Sequence, residues 1–171
     1  VEIDEMAAGQ AFENVRQSQW RDSIEVVCSD ITKYNIDEVK FDIIVCNPPF
    51  FRDSLRSPNA VRSQARHNDS LSYEKLADTV LRLLANDGTF NLVLPFDMAD
   101  TFTLIAARRG LYMSKRTKVV TRQGVAPKRV LLSFVKQQIV HVEEDELVMF
   151  DSNNAETLDY ISLVKDFYLK Y

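Results

Sequence analysis

Glycine is scarce in this sequence. There are 4 in 171 residues, Gly9, Gly88, Gly110 and Gly124, and no phosphate-cradling glycine loop can be drawn from them. Histidine and cysteine are scarcer, at 2 each. Cys28 and Cys46 each close an apolar run, so they read as small buried residues in a reducing compartment. Neither a disulfide nor a zinc site fits them, and no metal partner is expected. No apolar run approaches the ~20 residues of a membrane-spanning helix. The opening Val1-Glu2-Ile3-Asp4 has no basic region of a signal peptide, which leads to the expectation of a cytoplasmic protein with no membrane partner.

One further absence is local. From Thr101 to Val142 there is no Asp or Glu, although the net charge is −4. That stretch carries Arg108, Arg109, Lys115, Arg116, Lys118, Arg122, Lys128, Arg129 and Lys136. A second basic cluster, Arg52, Arg56, Arg62 and Arg66, is relieved only by Asp53. An acidic protein with two such segments can still present a basic face to nucleic acid.

Apolar content of 46% and charged content of 27% are ordinary for a globular chain, and the length fits one domain. Val1–Ile3 looks like a strand end. Asp4 can cap a helix from about Glu5 to Gln17, with Ala7, Ala8, Ala11, Phe12 and Val15 as its apolar stripe. Strands are expected at Ile24–Cys28, Phe41–Cys46 (buried on both faces) and Phe90–Leu94. Ser72 opens a helix that Asn86-Asp87-Gly88 ends, and Asp97 or Asp100 opens another that stops at Gly110. Leu111–Val120 and Val130–Lys136 form a strand pair around the basic loop Thr121–Arg129. Ile139–Phe150 reads as a last strand broken by a solvated acidic turn, Glu143–Glu146, and Leu158, Ile161, Val164 and Phe167 mark a closing helix. Strand–helix alternation gives an α/β sheet, mostly parallel, with an antiparallel C-terminal strand pair. The chain opens on a strand's last residues, so a first strand and glycine loop are expected upstream in a longer natural protein.

The chemistry concentrates at Asn47-Pro48-Pro49-Phe50, directly after the Phe41–Cys46 run. Side chains just past the carboxyl end of such a strand line the ligand crevice. An exocyclic amino group or an amide is a poor nucleophile because its lone pair is delocalised. Two acceptors, the Asn47 side-chain oxygen and the Pro48 carbonyl, would hold its two hydrogens and favour the charge that develops as nitrogen attacks. Phe50 would stack on a flat substrate, worth roughly 1–3 kcal/mol. On the cofactor side, an acid after the second strand of such a fold accepts from ribose hydroxyls, and Glu2 or Asp4 would do this; Glu2 is favoured, with Asp4 as helix cap. Ile3 would pack on an adenine ring. Asp30, beside Ile31, would accept from its amino group or simply cap its own loop.

These strand ends, in this order, resemble the class I adenosylmethionine-dependent methyltransferases that act on amino groups. Within them, Glu2-Ile3-Asp4, Ala7-Ala8, Gln10-Ala11, Glu13-Asn14-Val15, Asn47-Pro48-Pro49-Phe50-Phe51, Ala65-Arg66-His67 and Leu71-Ser72-Tyr73-Glu74 are similar to one bacterial family. So are Leu76, Pro127-Lys128-Arg129-Val130-Leu131-Leu132 and Asp166-Phe167-Tyr168-Leu169-Lys170. That family methylates N6 of adenine 37 in a valine tRNA. The resemblance implies a Rossmann-like fold and S-adenosyl-L-methionine as cofactor, held by Glu2, Ile3, Asp30, Ile31 and Asn47. It implies tRNA as partner, with the adenine turned out of its stack beside Phe50. Arg52, Arg56, Arg62, Arg66, Arg122, Lys128 and Arg129 would hold phosphates around the anticodon loop. His67 reads equally as an RNA contact and as a structural residue. The motif chemistry also serves a guanine of ribosomal RNA or a glutamine of a release factor. A non-catalytic RNA scaffold is the reading from another class.

Overall fold

The computed structural model describes residues 1–36, 39–48 and 71–168. The chain divides into two compact units, Val1–Val39 and Lys40–Tyr171.

The first unit holds helix α1, Glu5–Gln17. Asp4 caps it, accepting from the Ala7 N–H at 2.8 Å. Glu2 forms a single parallel bridge with Cys28, through Glu2 N–H to Val27 O and Ser29 N–H to Glu2 O, each 2.9 Å. Among the described residues Ile24–Cys28 forms no ladder beyond that bridge. Of the expected stripe, Ala8 is buried and Ala11 and Val15 half-buried, but Phe12 is 53% exposed. A unit this short has little interior to offer. Cys28 is an exposed free thiol, not the buried residue expected.

The second unit is built on a five-stranded sheet. Its strands are β1 (Phe41–Cys46), β2 (Leu84–Pro95), β3 (Tyr112–Arg122), β4 (Arg129–Val135) and β5 (Glu143–Phe150), in the order β1-β2-β4-β3-β5. The β1–β2 and β3–β5 pairs are parallel; β2–β4 and β3–β4 are antiparallel. Helices α2 (Tyr73–Leu83) and α3 (Ala99–Ala107) pack on one face. Ser72 caps α2, accepting from the Lys75 N–H at 3.2 Å, and Leu76, Val80 and Leu83 are its buried stripe. The core joins these to Phe90, Leu92 and Leu94 of β2, Phe102 and Ala106 of α3, and Val130, Leu132 and Phe134 of β4. Phe102 meets Tyr73 and Phe134 edge-on, each at 5.3 Å between ring centroids. Each fully buried large apolar side chain contributes roughly 1.5–3 kcal/mol.

Several expectations change. The helix ends at Leu83, and the strand begins at once with Leu84. The surplus residues around Asn86-Asp87-Gly88 are absorbed where the register jumps from Phe41↔Leu84 to Ile43↔Thr89. Gly88 is required there: a Cβ would lie 2.9 Å from the carbonyl oxygens of both Phe41 and Asp42. Strand β1 is not buried on both faces. Ile44 and Cys46 turn to the core, while Ile43 and Val45 are 67% and 73% exposed. Neither Asp97 nor Asp100 caps α3, whose N-cap is Met98, reached through a 3-10 turn at Phe96–Met98. Gly110, at φ +90°, closes the helix as expected. The acidic run Glu143–Glu146 is the first half of β5, not a turn. The closing helix α4 (Leu158–Val164) half-buries Ile161 and Val164 but leaves Leu158 83% exposed, and Phe167 beyond it 84% exposed.

Candidate active site

Asn47 and Pro48 follow the last β1 pairing, Cys46↔Leu92. Asn47 is exposed and Pro48 buried, so the motif is anchored by its first proline and presents the amide outward. Burial pushes the Cys46 thiol, one residue earlier, above its ordinary range. Strand β2 continues past this level to Pro95, which pairs with Arg129. The Phe96 N–H donates to the Lys128 carbonyl at 3.2 Å, tying the end of β2 to the base of the β3–β4 hairpin. One rim of the sheet thus carries Asn47-Pro48, Pro95-Phe96, Lys128-Arg129 and Arg122. This is the carboxyl rim at which α/β sheets bind ligands.

Lys128, Arg129 and Arg122 are all exposed. The Arg122 guanidinium donates to Asn154 Oδ1 at 2.6 Å. Asn154 sits at φ 66°, in a turn whose Asp151 carboxylate accepts from the Asn153 and Ala155 N–H groups. The rest of the basic stretch is largely spent inside the fold. Arg109 pairs with Asp78 at 2.8 Å, Arg116 with Asp100 at 3.0 Å, and Lys115 with Glu143 and Asp145 at 2.6 and 3.2 Å. The basic face foreseen over residues 101–142 therefore contracts to the hairpin end.

The interactions that join Phe96 to Arg116 and Tyr73 to Asp97 were not foreseen from the sequence. Arg116 lies 5.4 Å over the Phe96 ring, with its side chain only 16% exposed. A guanidinium over an aromatic face holds that ring in one orientation. The Tyr73 hydroxyl has its pKa raised, by burial first and then by the Asp97 carboxylate. The available signal was an aromatic and an acid directly after the strand-ending Pro95.

In the first unit, Asp4 takes the capping role and Glu2 is left at the strand end, with its Oε1 accepting from the Asp4 N–H at 2.9 Å. Ile3 beside it is 66% exposed. Asp30 caps its own turn: its Oδ1 accepts from the Thr32 N–H at 2.9 Å and hydroxyl at 2.8 Å. Ile31 is half-buried. An oriented carboxylate, a capped acid one strand away and an exposed branched apolar residue fit the ribose and adenine of a nucleoside. Phe50, Arg52, Arg56, Arg62, Arg66 and His67 lie outside the described residues. Among the described residues no cluster of His, Cys, Asp and Glu could hold a metal ion, and no helix is long and apolar enough to cross a membrane.

Comparison with known proteins gives the family. Residues 1–121 match a family described as an RMKL-like methyltransferase domain. A tRNA1(Val) (adenine(37)-N6)-methyltransferase of Bacteroides fragilis is 45% identical over 174 residues, covering 99% of this chain and 72% of the relative. Its counterpart in Haemophilus influenzae is 39% identical over 172 residues, covering 100% and 72%. Among solved structures, a predicted O-methyltransferase of Agrobacterium tumefaciens superposes with a TM-score of 0.71 over 96% of this chain and 74% of that one, at 17% identity. A glycopeptide N-methyltransferase complexed with S-adenosyl-L-methionine gives 0.57 over 80% and 70%, at 13% identity. Those two likenesses are of fold. The fold is that of a Rossmann-like class I methyltransferase, and the identity to these relatives, over nearly all of this chain and 72% of each of them, shows that the chain belongs to the tRNA1(Val) (adenine(37)-N6)-methyltransferase family.

Proposed function

We propose that this protein transfers a methyl group from S-adenosyl-L-methionine to N6 of an adenine in the anticodon loop of a tRNA, position 37 of a valine tRNA. The observation that carries the proposal is 45% identity over 99% of the chain to an enzyme of that name. The exposed Asn47, at the carboxyl rim beside the basic hairpin, supplies a matching mechanism.

The cofactor supplies an electrophilic methyl carbon when bound. Glu2 would bind its ribose hydroxyls, Ile3 would pack on its adenine, and Asp30 and Ile31 would bound the adenine edge. The substrate adenine is turned out of the loop, at a cost of a few kcal/mol. Its N6 amino group donates one hydrogen to Asn47 Oδ1 and one to the Pro48 carbonyl. That places the nitrogen for in-line attack and stabilises the positive charge developing on it. The S–C electron pair would stay on the bound cofactor's sulfur as the methyl leaves, and the extra amino proton would then pass to water, so no strong base is required. Phe50 stacks on the adenine. Arg122, Lys128 and Arg129, with Arg52, Arg56, Arg62 and Arg66, neutralise loop phosphates, and His67 joins them as a loop contact.

The proposal is tested by incubating the protein with methyl-labelled cofactor and separate pools of unmodified tRNA, ribosomal RNA and release factor. Label recovered as N6-methyladenine from the tRNA pool alone is expected. Label in guanine or in protein would move the substrate, and no label with no cofactor binding would leave an RNA-binding scaffold.

A further inference from the structure

The four residues Glu143, Glu144, Asp145 and Glu146 are all acidic, and all face β3 in register: Lys115↔Glu143, Arg116↔Glu144, Thr117↔Asp145 and Lys118↔Glu146. The transfer chemistry does not use them. They lie beyond residues 1–121, which match the methyltransferase domain.

Successive residues of a strand point to opposite faces, so the four acids fall into two pairs. Glu143 and Asp145 share the face of Lys115 and both contact it. Those contacts, led by the hydrogen bond to Glu143, raise the Lys115 pKa. Thr117 and Lys115 together lower that of Asp145. Glu144 and Glu146 stand exposed on the other face, beside Arg116, which is already paired with Asp100, and Lys118. This half of the β3–β5 pair is acidic on balance. The other half of β5, Leu147–Phe150, carries no charge, and Arg122 pairs with its last residue. Charge is therefore sorted along one strand pair, acid below and base at the rim where Asn47 emerges.

We propose that the acidic half of β5 is an RNA-excluding strip. It confines the tRNA backbone to the rim, and Glu144 and Glu146 are its specificity-determining residues. Phosphates that stray down the flank come within a Debye length, about 8 Å at physiological salt, of these carboxylates. Phosphates at the rim meet Arg122, Lys128 and Arg129 instead. RNA whose shape does not fit the rim then gains nothing from Lys115 and Lys118, which face the strip, nor from Arg116, which Asp100 holds. The inference rests on the reading of the hairpin as the RNA contact.

The test is the double variant Glu144→Gln, Glu146→Gln, which keeps shape and leaves both Lys115 ion pairs in place. Binding to valine tRNA and to an unrelated single-stranded RNA of equal length is measured against salt, with kcat on the tRNA. The unrelated RNA is expected to bind about two- to fivefold more tightly at low salt, roughly twofold per charge removed, with a steeper salt slope and unchanged kcat. Unchanged binding of both RNAs would overturn the inference, even if thermal stability fell, because a purely structural edge strand predicts that result. The triple variant Arg122→Gln, Lys128→Gln, Arg129→Gln separates the two readings. A wild-type salt slope in the triple variant would overturn the hairpin reading and the strip with it. A reduced slope there, with the glutamate variant inert, would overturn the strip alone.

Discussion

Replacing Asn47 with alanine isolates the transfer chemistry from the fold. The residue is exposed and stands one position past the last β1–β2 pairing, so its amide supports no core contact. A surface truncation of this kind changes stability by no more than about 0.5 kcal/mol. For a domain of this size that is about 1–2 °C in Tm. The functional cost is much larger. One of two preorganised acceptors is removed from a nitrogen becoming positive, and the loss of one such group at an active site lowers kcat about 10²–10³-fold, or roughly 3–4 kcal/mol. The tRNA is held by phosphate contacts elsewhere, so its affinity should stay within about twofold. Single-turnover methylation with labelled cofactor, beside a melting curve and a tRNA titration, reads all three quantities. A variant methylating within threefold of wild type would refute the role. So would a rate loss that tracked a fall in Tm.

Other outcomes follow from the packing. Gly88→Ala puts a Cβ 2.9 Å from two backbone oxygens of β1; it should cost about 1–3 kcal/mol of stability, read by denaturant unfolding, while a wild-type midpoint would show that the register jump relaxes freely. At pH 8, Cys28, exposed, should react with a thiol reagent well before Cys46, whose pKa burial raises; mass spectrometry of the timed adducts checks the order. Asp145 has its folded pKa lowered, chiefly by the Thr117 hydrogen bond and then by Lys115. Its stabilising contribution is therefore present above the unfolded carboxylate value of about 4 and lost as pH falls through the folded one. Asp145→Asn should shrink the loss of Tm on acidification below about pH 4, and an unchanged acid profile would contradict the pairing.

What the sequence disclosed was local or carried by resemblance. Asp4 and Ser72 were readable as caps because capping is settled within three residues. The Asn47 motif was readable because two prolines after an apolar run force a strand to end. What stayed hidden depended on which strands lie side by side. The acidic run Glu143–Glu146 has no apolar alternation, so it looks like a turn until β3 supplies Lys115 and Arg116 across the ladder. The same pairing takes Lys115 out of the expected RNA face, as Asp78 takes Arg109 and Asp100 takes Arg116. The run Phe41–Cys46 looked buried on both sides because all but Asp42 are apolar, yet only Ile44 and Cys46 turn to the core, and Ile43 and Val45 stay exposed. Phe96 and Arg116, 20 positions apart in sequence, meet only because β2 and β3 flank β4.

The central claim is the identity of the methylated atom. The most direct measurement uses two transcripts of a valine tRNA, one unaltered and one with adenine 37 replaced by guanine, each incubated with the protein and labelled S-adenosyl-L-methionine. The account predicts one methyl group per unaltered transcript, recovered as N6-methyladenine, and none in the altered one. Equal labelling of both transcripts, or label in any other base, would contradict it.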